Sequence, residues 1–241
     1  CIAGVMSYRD AVNLVRLRGE LFDTVEKGGM LSVPLSLAAL KAVLPAELDI
    51  ASVNAPELCV VSGRDEDLER FHLALAEQEI EASRIAIDIA AHSRMLEDIL
   101  PRFEAFLRGI RLSAPAIPIV SNRSGAWLTA AEACDPRYWV GHLRSTVHFA
   151  NGMAALAAEA GRVYIEVGPG RALSSLAKLQ KGIDANQVIN SLPHAGEATD
   201  DRLHCLTAGG RAWATGLDVD VERSWRHAAP QHVSLPTYGF Q

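Results

Sequence analysis

His92 stands in the run AIDIAAHSRM, directly after alternating apolar residues and directly before a helical pattern. A histidine there lies on a loop between two rigid elements, at the junction of a small unit with a larger one. The start of a following helix contributes positive potential, which favours the neutral imidazole, the form a general base requires. The same position suits a capping or packed histidine, and the residues alone leave both roles open. Arg18 lies beside the apolar stripe of the first helical segment. Its guanidinium could clamp a carboxylate through two parallel hydrogen bonds, or cover apolar surface with its stem. Asn54 falls where a strand turns, a place asparagine takes by bonding its own backbone. Glu166 closes the run VYIEV and fits either an acid or an ion-pair partner. Gly168-Pro169-Gly170 lacks the further glycine of a dinucleotide fingerprint and fits a tight strand-to-helix turn. His142 and His148 are six apart, which does not match a helical metal pair at i, i+4; no metal site is expected.

The elements that must position these residues follow from periodicity. Residues 8–26 carry apolar positions at Ala11, Val12, Leu14, Val15, Leu17, Leu21 and Phe22, an amphipathic helix that Gly28 and Gly29 should end. From residue 30 the pattern becomes strand, helix (Ser36 as cap), strand, strand, helix (65–78) and strand (83–89). This β-α-β-β-α-β order is the ferredoxin-like signature. Residues 94–110 make a helical stripe that Pro101 should kink. Residues 117–121 (IPIVS) and 163–167 (VYIEV) predict buried strands of a sheet covered on both faces. Residues 136–160 predict helix, 187–192 a further strand, and 200–215 a last helix. Strands alternating with helices predict an α/β fold with a parallel sheet. Residues 219–241 lack periodicity and predict an extended wrap or linker. An inserted small subdomain leaves a cleft at its junction, a favoured place for ligands.

Composition excludes several classes. The chain has 241 residues, 49% hydrophobic and 22% charged, with a net charge of −6. That balance argues against a nucleic-acid partner. No apolar run approaches a membrane span. Cys1, Cys59, Cys134 and Cys205 form no CxxC pair, so reduced thiols in a cytoplasmic protein are expected. The opening CIAGVMSYRDAV has no initiator Met and enters mid-pattern, as expected of a cut inside a longer protein.

Several segments, in order, resemble blocks of the acyltransferase domain of type I polyketide synthases, a relative of malonyl-CoA:acyl-carrier-protein transacylase. They are CIAGVMSYRDAVNLVRLRGELF, GGMLSV, VNAPELCVVSG, AHSRMLEDIL, PIVSNRSG, YWVGHLRSTVHF, YIEVGPGRALSSL and LPTYGFQ. The resemblance implies an α/β-hydrolase-like large subdomain (1–29 and 92–218), a ferredoxin-like insert (30–91) and a linker (219–241) that wraps towards a ketosynthase. It also implies ping-pong transfer of an acyl group from CoA, through a serine ester, to the phosphopantetheine thiol of an acyl carrier protein. Acyl-CoA is then a substrate, and no covalently bound cofactor is expected.

By that resemblance His92 falls on the catalytic histidine, Arg18 on the arginine that binds the extender's free carboxylate, and Asn54 on an asparagine lining the site. His142 falls where the family usually has Asn or Gln, whose backbone carbonyl orients the histidine. Thr146 stands where a proline is common. Ile89-Ala90-Ala91 occupies the selectivity block and matches neither HAFH, associated with malonyl, nor YASH, associated with methylmalonyl. A Phe at the Ala91 position would crowd an α-methyl and Ala leaves room, which leans to a pocket admitting methylmalonyl as well as malonyl-CoA. Such a difference is worth only about 1–3 kcal/mol. The family's GHSxGE serine is not among the 241 residues; it is expected about eight residues before Cys1 by the family spacing, and a chain starting at Cys1 is expected to be inactive alone. A non-catalytic packing piece docked to a ketosynthase and a free-standing transacylase are the alternatives.

Overall fold

The computed structural model describes residues 1–220, 223, 233–237 and 239. They form two compact units, Cys1–Arg162 with Ser175–Ile183, and Val163–Ser174 with Asp184–Gln241. The small sheet lies within the first unit and is hydrogen-bonded to residues far along the chain, described below.

The first unit opens with α1 (Tyr8–Phe22), capped by the Ser7 hydroxyl, which accepts from the Asp10 N–H. This helix stops at Phe22, earlier than the glycines. Gly28 instead serves close packing: a Cβ there would meet the Gly63 carbonyl at 2.6 Å. Then follow β1 (Gly29–Val33), α2 (Leu37–Val43), β2 (Asp49–Ala55), β3 (Leu58–Gly63), α3 (Asp65–Ala76) and β4 (Ser83–Arg84). The four strands are antiparallel in the order β2-β3-β1-β4. Alternation separates the two faces. Leu31, Val33, Val53, Cys59 and Val61 share one core with Leu40, Leu68, Phe71 and Leu75 of α2 and α3. Met30, Ala51 and Val60 form a second cluster with Ile85 and Ala91. The strand expected over 83–89 shortens to two residues; beyond them the Ile85 N–H bonds the Met30 carbonyl and the chain leaves the ladder.

A 3₁₀ turn (Arg94–Ile99) follows His92 and hands over to α4 (Leu100–Arg108). Pro101 sits at the start of α4, where its missing N–H has no helical partner to lose. After it come α5 (Ala130–Cys134), α6 (Pro136–Arg144) and α7 (Phe149–Ala157). Leu21, Leu96, Ile99, Phe103, Leu107, Val140 and Leu143 pack α1, the 3₁₀ turn, α4 and α6 into a third core. The strand expected at 117–121 is absent, and only Val120 bridges Trp127. The helix expected over 136–160 breaks at residues 145–148, because that segment pairs with the sheet.

That pairing fixes the unit. Val147 lies parallel to the edge of β2, its N–H bonding the Ala51 carbonyl and its carbonyl the Val53 N–H, both at 2.8 Å. The Thr146 hydroxyl donates to the Ile50 carbonyl at 2.7 Å, a bond that proline could not make.

In the second unit, β5 (Tyr164–Pro169) pairs in parallel with β6 (Val188–Leu192), and α9 (Asp201–Ala214) packs Ala208 and Ala212 on Ile189. α8 (Ala172–Lys178) follows β5. The sheet expected to be covered on both faces is not so in this chain. Ile165 is 46% and Val167 86% exposed, and β5 pairs with β6 among the described residues. The Glu166 carboxylate accepts from the Leu173 and Ser174 N–H groups at 3.0 and 2.8 Å, capping the start of α8. Most of the expected linker 219–241 lies outside the described residues. Among them, no helix is long and apolar enough to cross a membrane.

Candidate active site

His92 has a backbone φ of +57°, a left-handed conformation that costs a non-glycine residue roughly 1–3 kcal/mol and persists only where its surroundings over-determine it. The next two residues supply that determination. Ser93 is fully buried; its hydroxyl donates to the Ala90 carbonyl at 2.6 Å and accepts from the Met95 N–H at 3.2 Å, clasping the loop on both sides of the histidine. Arg94 is bound to Asp49, the first residue of β2, through its backbone N–H at 2.8 Å and through its guanidinium at 3.0 and 3.2 Å. Asp49 also faces Arg144 at 3.6 Å, the last residue of α6. One carboxylate therefore ties the loop after His92 to the helix before Ser145. Burial alone would raise the Asp49 carboxyl, but the Arg94 hydrogen bonds and the Arg144 charge outweigh it and hold it below the ordinary carboxylate range.

His92 Nδ1 lies 2.9 Å from the Ser145 carbonyl oxygen. A carbonyl only accepts, so Nδ1 carries the hydrogen and Nε2 the lone pair. No side-chain hydrogen bond holds Nε2 among the described residues. Burial pushes the His92 pKa down and the Arg18 charge adds to this; the Ser145 and His142 carbonyls oppose the shift without reversing it. The lowered pKa favours the neutral imidazole, with its lone pair on Nε2. The element that follows is a 3₁₀ turn, and burial leads the causes of the lowered pKa.

The structure brings His92, His142 and Arg18 together. The His92 and His142 rings meet edge to face, with centroids 6.4 Å apart and planes at 83°. Arg18 and His142 line one cavity of about 150 Å³ with Leu14, Val15, Phe103, Trp139 and Leu143. The Arg18 guanidinium carbon sits 5.5 Å from the centre of the Phe22 ring. Burial, then the charges of His92, Arg123 and Arg18, push the His142 pKa down. Ala91 packs with the sheet cluster of Met30, Ala51 and Val60, and Ile89 with the helical core. Asn54 is the extra residue of a bulge in β2, since Val53 pairs with Cys59 and Ala55 with Leu58. Its carbonyl accepts from Gln180 Nε2 at 2.7 Å. No described hydrogen bond joins Asn54 to His92.

A larger cavity, about 730 Å³, lies elsewhere in the unit among Arg64, Arg94, Arg102, Glu26, Asp67 and Asp98. Neither Arg18 nor His142 lines it, and its arginines alternate with carboxylates; the smaller cavity, lined by Arg18 and by the His142 that meets the His92 ring, is the one joined to the chemistry.

Ser145, Ser93, Asp49 and Arg144 were not singled out from the sequence. Ser145 acts through its carbonyl, which no residue type advertises. Arg123, in the SNRSG block, is also a support: its Nη1 donates to the Tyr138 carbonyl at 3.3 Å, and its guanidinium occupies the space where a Cβ on Gly141 would fall, at 2.7 Å.

A sequence profile described as the acyl transferase domain matches residues 1–217. A phenolphthiocerol/phthiocerol polyketide synthase of Mycobacterium tuberculosis is 31% identical over 240 residues, covering 99% of this chain and 16% of that protein. The acyl transferase domain of ZmaA superposes with a TM-score of 0.89 at 32% identity, over 98% of this chain and 55% of that one. The acyl transferase domain of SpnD, solved in complex with 2-(pent-4-yn-1-yl)malonyl, gives a TM-score of 0.84 at 34% identity, over 90% of this chain and 53% of that one. The chain thus spans about half the length of these solved domains and a sixth of the mycobacterial synthase.

Proposed function

Because this chain belongs to the acyl transferase domain family, we propose that it supplies the base and the carboxylate-binding half of an active site that loads a malonyl-type extender onto an acyl carrier protein. Nε2 of His92 takes the proton of a serine hydroxyl as that oxygen attacks the thioester carbonyl of an acyl-CoA. The tetrahedral intermediate collapses, the C–S bond breaks, and the CoA thiolate takes the proton from the imidazolium. The carrier's phosphopantetheine thiol then gives its proton to Nε2 and attacks the ester. The serine leaves with that proton, and the acyl group rests on the carrier as a thioester. The nucleophilic serine belongs to the part of the domain that these 241 residues do not span. Arg18 binds the free carboxylate of the extender. Ala91 leaves room for an α-methyl, so methylmalonyl-CoA and malonyl-CoA both serve. His142 contributes through its backbone beside His92, with Asn54 and Ile89 as neighbouring wall positions. A ketosynthase joined through residues 219–241 completes the module.

The observation that carries this proposal is the His92 pose, with Nδ1 spent on the Ser145 carbonyl and Nε2 open. Intact-mass detection of the acyl-serine in the complete domain tests it. Both CoA esters should label the wild type, and the 241-residue chain alone should not label. Exclusive malonyl labelling would contradict the role of Ala91; labelling of the chain alone would contradict the placement of the serine.

A further inference from the structure

The cavity beside His92 holds two donors that nothing in the protein uses. His142 is half-buried on the last turn of α6, and its ring meets the His92 ring alone, with no hydrogen bond to either nitrogen among the described residues. Arg18, facing the same cavity, has no carboxylate partner among the described residues; its recorded contact is the Phe22 ring. Arg18 is exposed and His142 half-buried; two donors on the wall of one cavity, neither engaged by a protein acceptor, suit a ligand that supplies acceptors. The remaining walls are apolar. Trp139, the other wall side chain able to donate, already gives its N–H to the Ala133 carbonyl at 2.9 Å. A cavity of about 150 Å³ equals about five water volumes, enough for a carboxylate with a short carbon stem.

An ionised carboxylate offers about four lone-pair sites. A guanidinium fork takes two in parallel, which leaves acceptor capacity for an imidazole N–H. Burial first, then the neighbouring charges, lower the His142 pKa, and a neutral imidazole still donates from one nitrogen. We propose that the His142 imidazole is a specificity-determining group that binds the extender's free carboxylate together with Arg18. This rests on the acyl-transfer function proposed above, and it gives the His142 side chain a task separate from its backbone.

The test compares kcat/KM for malonyl-CoA with that for acetyl-CoA, which lacks the second carboxylate, in the complete domain. His142→Leu should lower the malonyl-to-acetyl ratio roughly tenfold, the scale of one hydrogen bond to a charged group. His142→Gln, which restores a donor, should bring the ratio back to within about threefold of the wild type. A purely structural role moves both substrates in parallel and leaves the ratio fixed, which would overturn the inference. Arg18→Ala separates the two levels. If it leaves the ratio unchanged, the carboxylate-binding function itself fails; if it collapses the ratio and His142→Leu does not, only the role of His142 fails. Should His142→Leu not fold, a crystal structure of the wild-type domain carrying a malonyl ester decides. It should place a His142 ring nitrogen about 2.7–3.2 Å from a carboxylate oxygen, and a ring beyond that reach overturns the inference.

Discussion

The two sides of the His92 imidazole are built in opposite ways. Behind it, every polar group is occupied: Nδ1 by Ser145, the loop by Ser93, Arg94 by Asp49, and residues 146–147 by the edge of β2. In front of it, Nε2 has no side-chain hydrogen bond, and the donors of Arg18 and His142 have no hydrogen-bonding partner among the described residues. The contrast separates groups that must be fixed before the substrate arrives from groups that wait for it. A base gains from being pre-oriented, and the cost of its left-handed backbone is met by neighbours that do no chemistry.

Substitutions on the two sides should therefore fail differently. His92→Ala in the complete domain should have the largest effect, a fall in kcat of roughly 10²–10⁴, read from steady-state transfer with the fold intact by circular dichroism. Next, Arg18→Ala should lower kcat/KM for malonyl-CoA by roughly 10–100-fold, the scale of a bidentate charged contact, and affect acetyl-CoA far less. The same variant should move the acid limb of kcat/KM. His92 must lose its proton to act, and its pKa is held below 6.5 by burial first and by the Arg18 charge, so activity should persist below the ordinary histidine range as pH falls. Removing Arg18 withdraws one of the lowering influences, and the limb should shift to higher pH; an unmoved limb would mean that the two groups do not sense one another.

Behind the ring, Ser93→Ala should release the clasp and lower stability by about 1–2 kcal/mol, with kcat falling more than KM rises. Asp49→Asn should cost less, about 1 kcal/mol once solvent screening of the Arg94 and Arg144 pairs is allowed for. The shift in urea midpoint at constant slope measures both. A larger loss for Asp49→Asn than for Ser93→Ala would invert the order of the anchors.

How much of this could be read from the sequence depends on what carries each feature. The order of the small sheet is written in periodicity, because one face of β1, β2 and β3 and of both helices is buried in the same core; β4, exposed at both residues, is the strand that shortens. The strands at 117–121 and 163–167 were expected to be buried because their residues are apolar. Apolar composition marks a surface that wants a partner, and Val167 is exposed where none stands beside it. His92 is legible as a loop histidine at a junction, and its role follows from the ordered family blocks rather than from its own position. Arg18 was ambiguous for the same reason: a helix-surface arginine looks the same whether it waits for a carboxylate or covers apolar area. The Ser145 carbonyl and the Asn54 bulge had no side-chain signal at all. Residues 145–148 read as helix, since the hydrogen bonds that pull them onto β2 join positions almost a hundred residues apart.

The direct test of the central claim is the protonation state of the His92 ring in the complete domain at neutral pH, read by ¹⁵N NMR of the imidazole nitrogens. The geometry predicts a neutral ring with its hydrogen on Nδ1 and an unprotonated Nε2 that shifts on serine acylation. A hydrogen on Nε2, or an imidazolium, would contradict His92 as a base set in advance by the Ser145 carbonyl.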